Sequence, residues 1–233
     1  MKYLLTGGGT GGHVYPALAL ADEIAARQPS ASFLYVGLAH KLESWVVPKR
    51  GFPIKFVRSR SCPRSVSPWA WLVFSATLAI GVLRAALLLL RYRPHLIIST
   101  GGYVSAPIMF AHGILKEIGC SRSKVFIFEP NAHPGMLNQA VGRMADRIGV
   151  AFEQAGRWFD MRRVAVVGYP VRRELLVSDP ASAKARLQIP RQAPVVLAFG
   201  GSGGARAINE AVIGSLPHLF SRPELHLIHI TGQ

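Results

Sequence analysis

Ten residues near the start of the chain, Leu4-Leu5-Thr6-Gly7-Gly8-Gly9-Thr10-Gly11-Gly12-His13, bring together the types that phosphate chemistry needs. Five glycines in six positions allow a sharp turn and a close approach of backbone to ligand, because no Cβ intervenes. An apolar run enters the stretch, and Pro16-Ala17-Leu18-Ala19-Leu20-Ala21 leaves it as a helix. The free amides of that helix start, with the positive end of the dipole behind them, would face an anion. His13 stands where loop becomes helix, and imidazole titrates close to neutral pH. It is either a general base on a bound substrate or a capping and orienting residue. Further polar turns follow later apolar runs: Thr100-Gly101-Gly102-Tyr103-Val104-Ser105, Glu129-Pro130-Asn131, Gly168-Tyr169-Pro170-Val171-Arg172 and Gly200-Gly201-Ser202-Gly203-Gly204. Open α/β sheets bind their ligands at such carboxyl ends of strands.

Two common phosphate binders fit poorly. Gly7-x-Gly9-x-x-Gly12 matches the dinucleotide fingerprint, but that fingerprint also wants an acid about twenty residues on. Here the second strand ends Val36-Gly37-Leu38-Ala39-His40-Lys41, with no acid. No Gly-Lys-Ser/Thr follows either glycine loop, which excludes a P-loop. Cys62 and Cys120 make neither a disulfide framework nor a metal-ligand pattern, and read as reduced cytosolic thiols. Met1 leads directly into a strand, leaving no room for a signal peptide.

The elements that must carry these turns alternate between strand and helix. Strands are predicted over residues 2–6, 33–37, 54–57, 95–99, 125–128, 147–150 and 164–167, then 194–199 and 225–230. Helices are predicted over 16–27, with Pro16 in the first turn, and over 43–49, 106–118, 135–145 and 205–216. This is an α/β chain with parallel sheets. Residues 1–175 form a first Rossmann-like domain, 176–194 a linker, and 195–233 the start of a second Rossmann-like domain. A β-loop-α-β piece of about forty residues cannot cover both faces of a parallel sheet, so the second domain is expected to be incomplete here.

The chain is half hydrophobic and carries a net charge of +15, which suits nucleic acid, anionic lipid or phosphorylated substrates. No nucleic-acid module accompanies the charge, so nucleic acid is not expected as a partner. Between residues 41 and 64 the basic side chains are Lys41, Lys49, Arg50, Lys55, Arg58, Arg60 and Arg64, against Glu43 alone. Residues 69–90 follow, uncharged except for Arg84 and long enough to cross a bilayer. A true span would separate the strands on either side of it and destroy the sheet. The other readings are a buried core helix, or a helix pair that packs on the sheet and also shows a patch of Trp69, Trp71 and Phe74. Beside the basic run, such a patch would sit on an anionic membrane surface, and this last reading is favoured.

Two glycine loops opening two successive α/β domains suit a sugar-nucleotide transferase, with donor and acceptor on facing walls. The order of motifs goes further. Gly8-Gly9-Thr10-Gly11-Gly12-His13-Val14-Tyr15-Pro16-Ala17 resembles the signature of the MurG family. So do Gly101-Gly102-Tyr103-Val104-Ser105-Ala106-Pro107, Glu129-x-Asn131 with Pro134-Gly135, Val167-Gly168-x-Pro170-Val171-Arg172, and Gly200-Gly201-Ser202-x-Gly204-Ala205-Arg206. The resemblance implies a GT-B glycosyltransferase, peripheral on the cytoplasmic face of the bacterial inner membrane. It implies transfer of N-acetylglucosamine, with inversion, from UDP-GlcNAc to the 4-hydroxyl of the muramoyl sugar of lipid I. The product would be lipid II, the precursor of peptidoglycan.

In that frame His13 is the candidate catalytic base. Thr10, Gly11, Gly12, Asn131, Arg172 and Ser202 would bind UDP-GlcNAc or the substrate diphosphates. Gly102, Tyr103, Ser105 and Glu129 would line the acceptor cleft, although core packing also explains Tyr103, and a surface position also explains Arg172. No metal site and no cofactor beyond the donor substrate are expected. Phe128, Pro130, Tyr169 and Gly203 depart from the family's His, Gln, Asn and Gln at those positions, which bears on the acceptor more than on the reaction. The alternatives are a related GT-B enzyme with another lipid acceptor, and a non-catalytic acceptor-binding subunit that recruits a separate donor domain.

Overall fold

The computed structural model describes residues 1–63, 66–201 and 203–232, so Arg64 of the basic run and Ser202 of the candidate site lie outside the described residues. The chain divides into two units, Met1–Arg172 and Arg173–Gln233. Seven parallel strands make the sheet of the first: β1 Lys2–Thr6, β2 Ser32–Gly37, β3 Ile54–Phe56, β4 Leu96–Ser99, β5 Lys124–Glu129, β6 Arg147–Val150 and β7 Val164–Val166. Their order across the sheet is β3-β2-β1-β4-β5-β6-β7. The central strands are apolar at consecutive positions because both faces are covered. Leu4 and Ile97 face one core with Ala85, Ile108 and Met109, while Leu5 and Ile98 face another with Val14, Ala17 and Leu18. The helices of this unit are α1 Gly11–Arg27, α2 Leu42–Lys49, α3 Pro68–Tyr92, α4 Ala106–Glu117, α5 Met136–Val141 and α6 Glu153–Gly156.

Three features differ from the sequence reading. Helix α1 begins at Gly11, five residues before the expected start, so Pro16 lies inside it. The apolar segment is one 25-residue helix, α3, and not a helix pair. By length and composition α3 could cross a membrane, yet it buries Gly81, Ala85 and Leu89 against the domain. A Cβ at Gly81 would collide with the Arg58 carbonyl, so that crossing point requires glycine. The helix expected over 135–145 is short: α5 ends at Val141 and gives way to a 3-10 turn, Gly142–Met144.

The second unit contains α7 Arg173–Leu176, α8 Pro180–Arg186, β8 Val195–Phe199, α9 Arg206–Leu219 and β9 His226–Ile230. Helix α8 stands in the stretch read as a linker, capped by Asp179, which accepts the amides of Ala181 and Ser182. Strands β8 and β9 pair in parallel, as a β-loop-α-β unit requires.

Candidate active site

The strand order turns back between β1 and β4, and their carboxyl ends lie side by side, with Thr6 paired to Ser99. An open α/β sheet binds ligands in the crevice outside this reversal. The glycine loop leaves β1 there, and the turn beginning at Thr100 leaves β4. Two reciprocal hydrogen bonds join them: Thr100 Oγ1 donates to the His13 carbonyl (2.6 Å), and His13 Nδ1 meets the Thr100 carbonyl at 2.7 Å. A carbonyl can only accept, so Nδ1 carries the proton and neutral His13 keeps its lone pair on Nε2. The imidazole is half-buried. Gly102, at φ +77°, passes so close that a Cβ would lie 2.6 Å from the Gly8 carbonyl and 3.2 Å from His13 Cδ2.

At the start of α1 the Thr10 carbonyl accepts the amides of His13 and Val14, both at 3.2 Å. Among the described residues, the amides of Gly11 and Gly12 meet no acceptor; they are the unfilled donors that a helix N-terminus offers to an anion. Thr10 is exposed and its side chain makes no cap. Beneath the loop lies Glu43, fully buried, accepting the Gly9 amide on Oε2 (3.2 Å) and the Leu38 amide on Oε1 (3.1 Å). Tyr35 donates its hydroxyl to the Gly7 carbonyl; burial, and then the Glu43 charge, hold its pKa well above the usual phenol value, so it remains a donor.

The family model for the glycosyltransferase family 28 N-terminal domain matches residues 3–150. The chain belongs to glycosyltransferase family 28. Relatives named UDP-N-acetylglucosamine--N-acetylmuramyl-(pentapeptide) pyrophosphoryl-undecaprenol N-acetylglucosamine transferase align with all of it. The one from Desulforudis audaxviator (strain MP104C) is 40% identical and the one from Acetivibrio thermocellus 36%. The chain spans 61% and 62% of their lengths. In fold it is similar to the crystal structure of Acinetobacter baumannii MurG, with a TM-score of 0.65 and 24% identity over the whole chain and 59% of that structure. It is also similar to the glycosyltransferase of kitacinnamycin, with a TM-score of 0.64, 15% identity and 66% of that chain covered. The doubly wound, Rossmann-like first unit is thus the N-terminal half of a GT-B fold, as the motif order implied.

Within this family-28 unit the remaining candidates take distinct places. Glu129 is buried at the end of β5, where its carboxylate accepts four donors: the amide and Nδ2 of Asn131 (both 2.9 Å), the Gly135 amide (3.1 Å) and Asn138 Nδ2 (2.9 Å). It organises the loop after β5; in that set Asn131 and Gly135 are exposed and Asn138 is buried. Ser105 is buried and donates to the Gly101 carbonyl at 3.1 Å, closing its own turn. The Tyr103 ring stands against Gly9, where a Cβ would meet it at 3.4 Å. The Arg172 guanidinium lies 4.7 Å above the Tyr15 ring, a cation–π contact that draws it to the first turns of α1. A groove of about 400 Å³ is lined by Lys41, Arg58, Arg60, Thr77 and Tyr103, so part of the basic run borders the residue that touches the glycine loop. The loop of Ser202 belongs to the second unit, with Gly201 and Gly204 at positive φ.

Sequence reasoning missed Thr100, Glu43 and Tyr15. Glu43 did leave a signal, as the single acid among seven basic side chains. Thr100 heads the second glycine turn, but its tie to His13 spans 87 positions and is visible only once β1 and β4 pair. No group of three or more His, Cys, Asp or Glu side chains that could hold a metal occurs among the described residues.

Proposed function

We propose that this chain supplies the acceptor-side half of an inverting glycosyltransferase that moves N-acetylglucosamine from UDP-GlcNAc to the 4-hydroxyl of the muramoyl sugar of lipid I. The observation that carries this reading is the His13–Thr100 pairing at the β1/β4 reversal, which fixes one tautomer and leaves Nε2 able to take a proton. The names of the relatives supply donor and acceptor. As the 4-hydroxyl oxygen bonds to C1 of the donor sugar, His13 Nε2 removes its proton. The C1–O bond to UDP breaks on the opposite face, and UDP leaves with the electron pair. The anomeric centre inverts in one displacement, and no sugar is attached to the protein. The Gly11 and Gly12 amides and Arg172 face substrate phosphates, and Asn131 offers hydrogen bonds to the sugars. Ser202 and its loop would hold the UDP diphosphate. The exposed face of α3 and the basic groove would seat the unit on the anionic cytoplasmic face of the inner membrane that carries the acceptor.

The test is His13→Ala in a protein carrying both halves. Loss of base catalysis should lower kcat about 100-fold or more, with the KM for UDP-GlcNAc kept. A variant retaining most of its turnover removes the base assignment. Transfer from UDP-galactose to a diacylglycerol, with no activity on lipid I, overturns the choice of substrate.

A further inference from the structure

Helix α1 carries a proline where a backbone donor is needed. Pro16 has no N–H, so the Gly12 carbonyl, four residues back, is left without its helical partner. Tyr169 takes that place: its hydroxyl donates to the Gly12 carbonyl at 3.1 Å. Tyr169 is 42% exposed; its partial burial raises its pKa, and the phenol stays protonated as a donor. The ring is held from behind by Phe128, which is fully buried at the end of β5; the two rings stand edge to face with centroids 6.0 Å apart. Three residues on, Arg172 sits over Tyr15. Residues 169–172 are therefore fastened at two points to the first turns of α1, the segment that carries His13.

Phe128 and Tyr169 contact each other, and by the resemblance drawn from the sequence they stand where His and Asn would be expected. We propose that they are one coupled exchange, and that Tyr169 is a positioning residue: by capping the Gly12 carbonyl it fixes the first turn of α1 and so the direction of His13 Nε2. The inference rests on the transferase reading above. It gives the departures a role in holding the base and not in choosing the acceptor.

Gly12 is open to solvent, so water can partly replace the phenol and the loss on its removal is graded. In a protein carrying both halves, Tyr169→Phe should lower kcat on lipid I about fivefold, the rate equivalent of one ordinary hydrogen bond. The KM for UDP-GlcNAc should not move, and the melting temperature should fall by no more than about 4 °C. In the chain described above, the same variant should speed hydrogen exchange at the His13 and Val14 amides. Phe128→His and Tyr169→Asn should each cost activity, and the double variant should recover most of it. Wild-type kcat and wild-type exchange in Tyr169→Phe overturn the proposal, as do single losses that simply multiply in the double variant. Should Phe128→His not fold, Tyr169→Phe decides alone. A wild-type protein without transferase activity would defeat the functional reading, whereas the exchange measurement reads the tether either way.

Discussion

A fully buried carboxylate beneath a glycine loop needs a reason, and Glu43 has one. Its two oxygens accept two amides that no other group among the described residues reaches, and its side chain fills the space that Cβ atoms at Gly8 and Gly37 would occupy. Glutamine at this position offers one acceptor and turns an NH2 toward a backbone N–H. An unsatisfied buried donor of this kind costs about 1–3 kcal/mol. Glu43→Gln should therefore lower the melting temperature of the first unit by roughly 5 °C, measured by calorimetry; an unchanged midpoint would show that the carboxylate is not what holds the loop. A second residue sets a pH dependence. Burial, and then the charge of Lys116, push the His112 pKa down, with Asp146 opposing. The unfolded chain then takes up the proton first as pH falls, so stability is complete above the ordinary imidazole value of about 6.5 and is lost below it. Asp146 acts in the same direction at lower pH: burial raises its pKa, but the Val125 amide and Lys124 outweigh that and depress it. Melting temperatures should fall between pH 7 and pH 5, and His112→Gln should flatten that slope; a parallel slope in the variant removes His112 as its source.

Elements were more legible than their ends. β1 and β6 lie where alternating apolar runs and turn residues put them, because buried parallel strands announce themselves by composition. The start of α1 was not legible, since Pro16 suggests a first turn, and the hydrogen bond that meets the carbonyl it leaves unpaired comes from Tyr169, 157 residues from Gly12. The site showed the same division. The glycine turns and His13 are nameable from their types, while the four hydrogen bonds that Glu129, expected in the acceptor cleft, accepts from its own loop and α5 are visible only in the fold. Helix α3 was legible as apolar but not as single. Its exposed side chains Trp69, Leu72, Ile80, Leu83, Leu87 and Leu90 follow helical spacing along nearly its whole length, with Trp69 at 71% and Leu83 at 67% exposure. Phe74, placed in the patch by the sequence, is half-buried and packs edge-on against Trp71. A stripe of this kind beside a basic groove should bind vesicles containing anionic lipid and ignore neutral ones. Replacing Trp69, Trp71 and Phe74 with Ser should weaken that binding in sedimentation, and replacing Leu83 and Leu87 should weaken it further. Equal binding to neutral vesicles, or no loss in either variant, would count against a membrane role for α3.

At the scale of the molecule the two units differ in how completely they are covered. In the first, Leu4, Leu5, Ile97, Ile98 and Ile127 are inaccessible, and the central strands have helices on both faces. In the second, α9 has no buried residue, and Val196, Leu197, Phe199 and Ile230 on the strands remain exposed. Backbone hydrogen bonds that lack such cover open by local fluctuation, whereas those in a sealed core open only with the whole unit. Amide exchange should therefore separate the two: β1, β4 and β5 should be protected at least about 1,000-fold more than β8 and β9, in line with opening energies that run from near zero to the global value. The relatives extend well beyond the 61% of their length that this chain spans. If their added chain supplies the missing cover, the β8 and β9 amides should slow markedly in a protein of that full length while those of β1 stay as they were. Protection of β8 and β9 that already equals β1 in the 233-residue chain would contradict this account. It would mean that the exposed apolar strands find cover by association, which the concentration dependence of the exchange rates would reveal.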